Sequence, residues 1–77
     1  MLIELRLYGP LRDYLPKEQR GKGQLELSEG ATVDDAITAL GVTHPVLAAV
    51  NAAHESEFEM VLREGDTLTL FEQSAGG

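Results

Sequence analysis

Both ends of this chain alternate between apolar and polar residues, and only one stretch between them has the period of a helix. In residues 2–8, Ile3, Leu5 and Leu7 share one side of an extended strand while Glu4, Arg6 and Tyr8 share the other. Towards the far end, Leu68 and Leu70 point one way and Thr67, Thr69 and Phe71 the opposite way. Between these strands, Val33, Ala36, Ile37 and Leu40 fall at i, i+3, i+4 and i+7, the apolar stripe of a single amphipathic helix. One helix can cover one face of one sheet, so a two-layer fold is expected. A chain of 77 residues leaves no room for a second core, because one this short buries only about 60% of the surface its unfolded form exposes. It has no cysteine either, so burial must stabilise it without disulfides, and thiolate chemistry is excluded.

The remaining elements fall into place around that helix. Gly9-Pro10 breaks the first strand, and Leu11 to Leu15 can form a turn of helix before the polar residues 16–23. A second strand is expected over residues 24–28, with Leu25 and Leu27 inward. Gly30 ends the hairpin. Thr32 stands as an N-cap three residues before Asp35, a variant of the capping box, and Gly41 supplies the left-handed position that stops the helix. After the His44-Pro45 turn, residues 46–52 read as a strand with Asn51 near its end. Residues 58–62 suit a short edge strand or an irregular segment, and Glu64-Gly65-Asp66 a tight turn. This order predicts an α+β fold of the β-grasp kind: a mixed four- to five-stranded sheet with one main helix on one face. A single crossover helix places the second and third strands on opposite sides of a central first and last pair. Residues 1–73 form that domain, and residues 74–77 are expected to be a flexible tail.

Thirteen acidic residues against six basic ones give a net charge of −7, so a nucleic-acid backbone would be repelled and is excluded as a partner. The charge is uneven. Five basic against three acidic residues leave +2 in residues 1–22, and one basic against ten acidic leave −9 in the rest. Such a layout suits electrostatic steering towards a partner with a basic surface. No apolar run approaches the ~18 residues that span a bilayer, and Met1 leads straight into the first strand, so no membrane segment or leader is read and a cytoplasmic location is expected.

Conventional chemistry is absent from the side chains. His44 and His54 have no ligand spacing and no adjacent nucleophile, so both read as loop residues and no metal site is expected. Asp34-Asp35 lies in the first turn of the helix, where the macrodipole favours acids, and capping explains it. Two consecutive glycines at the end are another matter, since at ordinary glycine usage that pair has a chance of about 0.5%. Lacking a Cβ, Gly76 and Gly77 can thread a narrow channel and present the α-carboxylate of Gly77 to another enzyme. Activated as an acyl-adenylate, that carboxylate becomes an electrophile for a sulfur donor or an amine.

Leu7-Tyr8-Gly9-Pro10-Leu11-Arg12-Asp13, Gly30-Ala31-Thr32-Val33, Ala49-Val50-Asn51, Leu62-Arg63-Glu64-Gly65-Asp66 and Ala75-Gly76-Gly77 occur in the order in which the MoaD/ThiS family carries similar motifs. Over essentially its whole length the chain resembles these ubiquitin-like sulfur carriers. The resemblance implies a carrier rather than an enzyme, with Gly77 as the thiocarboxylate site and Gly76 and Ala75 threading into the partner. It implies no bound cofactor, with ATP consumed by an E1-like adenylating enzyme. The other partners implied are a sulfur donor and a sulfur-accepting synthase such as a molybdopterin synthase large subunit.

The long connection from Gly9 to Gly23 is more similar to the small subunit of molybdopterin synthase than to the thiamine-pathway carriers, whose first hairpin is short. Against that, Glu72-Gln73 stand where the molybdopterin type commonly has prolines after the phenylalanine matching Phe71. A glycine usual in relatives after Asn51 is replaced by Ala52. The alternatives are a ubiquitin-like protein modifier, a thiamine-pathway carrier and a regulatory module resembling the TGS domain. That last kind sits inside larger chains, whereas this chain starts at its first strand and stops at its glycines, which favours the free carrier. Phe71 and Tyr8 are expected to project together from the open sheet face and to bind the partner, the matching family phenylalanine lying in such an interface.

Overall fold

A computed structural model describes residues 1–51 and 56–72. Its order is β1 (Leu2–Leu7), two 3-10 turns (Gly9–Tyr14 and Lys17–Gln19), β2 (Lys22–Glu26), α1 (Val33–Leu40), β3 (Val46–Val50) and β4 (Thr67–Glu72). The described strands form one sheet in the order β2-β1-β4-β3. β1 pairs parallel with β4, and each of them pairs antiparallel with its outer neighbour. The α+β, ubiquitin-like β-grasp arrangement read from the sequence is therefore the one observed, with four strands among the described residues.

Alternation decides which residues make the core. Ile3, Leu5 and Leu7 from β1, Ala48 and Val50 from β3, and Leu68 and Leu70 from β4 are buried beneath α1, which contributes Val33, Ala36 and Ile37. The connections add Leu11, Val42 and Leu62. Both bonds of the predicted capping box form: Thr32 Oγ1 accepts from the Asp35 N–H at 3.2 Å, and Asp35 Oδ2 accepts from the Thr32 N–H at 2.9 Å. Gly41 takes the left-handed conformation, φ 85°, at the helix end.

Residues 58–62 make no strand. Their carbonyls instead complete the start of α1, Met60 O accepting from the Val33 N–H and Phe58 O from the Asp34 N–H, each at 3.0 Å. A single bridge between Thr32 and Val61 accompanies these bonds. The first amides of a helix have no partner within it, so a passing backbone is worth more there than at a sheet edge. Strand boundaries shift slightly elsewhere. β2 begins at Lys22 rather than 24 because the hairpin register pairs Arg6 with Lys22. β3 ends at Val50 because Asn51 turns to φ 56°.

Candidate functional site

With α1 covering one side, the other side of the sheet is open, and strand alternation determines what it displays. By register it carries Lys22 and Gln24 from β2, Arg6 from β1, Thr67, Thr69 and Phe71 from β4, and Leu47 and Ala49 from β3. A shallow depression across its middle is lined by Arg6, Tyr8, Asn51, Thr67 and Thr69. Lying over the two central strands, it presents hydroxyls, one carboxamide, one phenol and one guanidinium. None of these side chains forms a nucleophile-and-base pair with another.

Tyr8 and Phe71 lie on this face as the alternation requires, but they differ in exposure. The Tyr8 N–H donates to Leu70 O at 3.1 Å, extending the parallel ladder by one step and bringing Tyr8 level with Phe71. Tyr8 is 54% exposed, whereas Phe71 is only half-buried, opposite Leu47 on β3. The expected exposed aromatic pair is therefore one open ring and one partly covered ring. The one aromatic ring contact among the described residues joins Tyr14 and His44, with centroids 6.4 Å apart.

The β4 strand carries the chain to Glu72, where His44 Nε2 meets Glu72 Oε1 at 3.0 Å. His44 is thus a loop residue, as expected, and it meets the side chain that ends β4. Ala75, Gly76 and Gly77 lie outside the described residues, as do His54 and Ala52. Among the described residues no group of three or more histidine and acidic side chains could hold a metal ion, and no helix is long and apolar enough to cross a membrane.

Asn51 has a larger part than its sequence position suggested. Its Nδ2 donates to Asp66 Oδ1 at 2.9 Å, its Oδ1 accepts from the Thr67 N–H at 2.9 Å, and its own N–H donates to Thr67 O at 2.8 Å. The other oxygen of Asp66 accepts from the Arg63 N–H at 2.8 Å. The Val50-Asn51 and Gly65-Asp66 motifs, separate in sequence, are one structure at the rim of the open face. An asparagine just past a strand, able to adopt the left-handed conformation, was the available signal.

Residues 1–75 match the family described as Mut7-C ubiquitin. Among solved structures, the chain is similar to SAMP1 of Haloferax volcanii, also described as small archaeal modifier protein 1, at 22% identity and a TM-score of 0.75 over 100% of both chains. It is similar to a putative molybdopterin converting factor subunit 1 from Pyrococcus furiosus at 20% identity and a TM-score of 0.76, covering 96% of this chain and 99% of that one. A third structure, a complex of subunits 1 and 2 of molybdopterin-converting factor from Helicobacter pylori, gives 18% identity and a TM-score of 0.63 over 100% of both chains. At these identities the likeness is one of fold. No curated protein matches the chain.

Proposed function

This chain belongs to the Mut7-C ubiquitin family, and from that membership and its sequence we propose that it is a sulfur carrier working through the carboxylate of Gly77. The observation that carries the reading is the combination of a ubiquitin-like body with a Gly76-Gly77 pair that follows the end of the central strand β4 by four residues in sequence. In the reaction, a Gly77 carboxylate oxygen attacks the α-phosphorus of ATP on an E1-like enzyme, forming the acyl-adenylate and releasing pyrophosphate. A hydrosulfide equivalent from the sulfur donor then attacks the acyl carbon. The C–S bond forms, AMP leaves, and the thiocarboxylate carries the sulfur to an acceptor. The chain is a co-substrate in these steps, and their catalysis belongs to its partners.

A molybdopterin synthase large subunit is the proposed acceptor. Support comes from the long first connection and from the structural neighbours described as molybdopterin converting factor subunit 1, one of them in complex with a subunit 2. The neighbour described as a modifier protein favours a second use of the same activated carboxylate, attack by a lysine amine to give an isopeptide bond.

Intact-mass measurement after incubation with an activating enzyme, ATP and a sulfur source separates the two. Exchange of one oxygen for sulfur is the expected result. Covalent attachment to other proteins instead would establish the modifier, and an unchanged mass with ATP unconsumed would overturn both. Mass measurement of the protein isolated from cells tests the premise, since any residue beyond Gly77 would block the carboxylate.

A further inference from the structure

The long connection between β1 and β2 folds into a basic cleft of about 240 Å³, lined by Arg12, Asp13, Lys17, Arg20 and Gly21. Three cations and one carboxylate leave this small hollow at +2 in a protein of net charge −7. Among the described residues no carboxylate lies within 4.0 Å of the charged nitrogens of Arg12, Lys17 or Arg20.

The backbone is shaped to gather these side chains. Gly21, at φ 79°, lies so close to the end of β1 that a Cβ there would come within 2.3 Å of Leu7 O and 2.7 Å of Arg12 Cγ. That vacancy lets the Arg12 stem lie across the turn, and Arg12 Nε donates to Gly9 O at 3.4 Å. Of the five guanidinium donors, the others remain for a ligand. Arg20 sits at φ 52°, a left-handed conformation that is sterically unfavourable for a residue with a Cβ. Glycine would hold that turn more easily, and the residue that takes this strained conformation carries a side chain that lines the cleft.

We propose that this cleft binds a phosphate group, either as the free ion or on a small phosphomonoester. The cleft's +2 matches a dianion, and its volume lies below the roughly 300–1,000 Å³ of sites that enclose drug-sized molecules, which suits a headgroup and not a whole large ligand. Arginine presents paired donors that fit phosphate oxygens, and lysine adds a point charge. Because β1 and β4 run parallel, the cleft after β1 lies at the same end of the sheet from which the chain continues past Glu72. Phosphate binding here stands independently of any chemistry at Gly77.

The test is a titration of the full chain followed by amide NMR, with ionic strength held constant by sodium chloride. Inorganic phosphate, glycerol phosphate and an oligoglutamate peptide serve as probes. Saturable shifts confined to residues 12–21 with either phosphate probe are expected, and the tighter of the two identifies the source. The double variant Lys17→Gln, Arg20→Gln should bind about tenfold more weakly or worse, with the rest of its spectrum unchanged. Single Lys17→Gln should fall between, and it serves as the test if the double variant misfolds. Shifts no larger than those chloride produces, undiminished binding by the variants, or tighter binding of the peptide than of phosphate would each overturn the proposal.

Discussion

Asn51 and Asp66 hold each other side chain to side chain at 2.9 Å, and through that pair the end of β3 is clasped to the start of β4. Each partner also satisfies a backbone amide, of Thr67 and Arg63 respectively. Asn51 in addition occupies φ 56°, which asparagine tolerates more readily than alanine. Asn51→Ala should therefore cost about 2–3 kcal/mol, the sum of two modest hydrogen bonds and the conformational penalty. Asn51→Gly removes the bonds but keeps the turn, and should cost about 1 kcal/mol less. Urea denaturation of the two variants checks this, and equal losses would show that backbone conformation plays no part.

Gly21→Ala is expected to be among the most damaging single substitutions outside the core. The added Cβ would meet Leu7 O at 2.3 Å, and that backbone is already fixed by the Leu7 N–H bond to Gly21 O. With the left-handed conformation penalised as well, a loss of about 3 kcal/mol is expected. Gly30→Ala makes a useful control. It shares the positive φ, but nothing lies within 4 Å of its Cβ position, so about 1 kcal/mol should be lost. Thermal unfolding of both variants decides the matter.

The open sheet face can be tested with two aromatic substitutions that the structure separates. Tyr8→Ala removes an exposed ring and should leave the melting temperature nearly unchanged while weakening partner binding about tenfold. Phe71→Ala should weaken binding at least as much but also destabilise the fold by about 1–2 kcal/mol, because the ring is half-buried. Titration calorimetry against the activating enzyme and against the sulfur acceptor, each beside a melting curve, provides both readings. Unchanged affinity for both partners in both variants would remove this face from the interface.

On the proposed carrier role, deletion of Gly77 should abolish acceptance by the activating enzyme without altering the melting temperature, because it removes the carboxylate proposed to react while leaving the core of Ile3, Leu5, Leu68 and Leu70 intact. Gly76→Val should impair the same step through its Cβ and restricted backbone. Pyrophosphate release from ATP measures both effects.

The parts of the fold that were legible in the sequence are those fixed by short-range rules. Alternation placed Ile3, Leu5, Leu7, Leu68 and Leu70 in the core, and Thr32 with Asp35 announced the helix start. Residues 58–62 were ambiguous because their alternation suited a strand, while the partner that decided their role was the distant amide row of Val33 and Asp34. Tyr8 and Phe71 could be assigned a face but not an exposure, since the cover over Phe71 depends on the register that sets Leu47 opposite it. The basic cleft gave a one-dimensional trace, the crowding of cations into residues 1–22, yet gathering Arg12 beside Arg20 required the reversal at Gly21.

The placement of β4 between β1 and β3 also governs how the molecule can be made. During synthesis β4 is the last of the described strands to emerge, yet it is the one that joins the two halves of the sheet. Until it arrives, the β1–β2 hairpin and β3 have no common partner, and the inner edges of β1 and β3 stay unpaired. Contacts between residues as distant as Glu4 and Thr67 must close late, which makes assembly slower than for a helical protein of this size. A nascent chain stopped before residue 67 would leave the inner edges of β1 and β3 without the strand that pairs with both, and unpaired strand edges favour association with other chains.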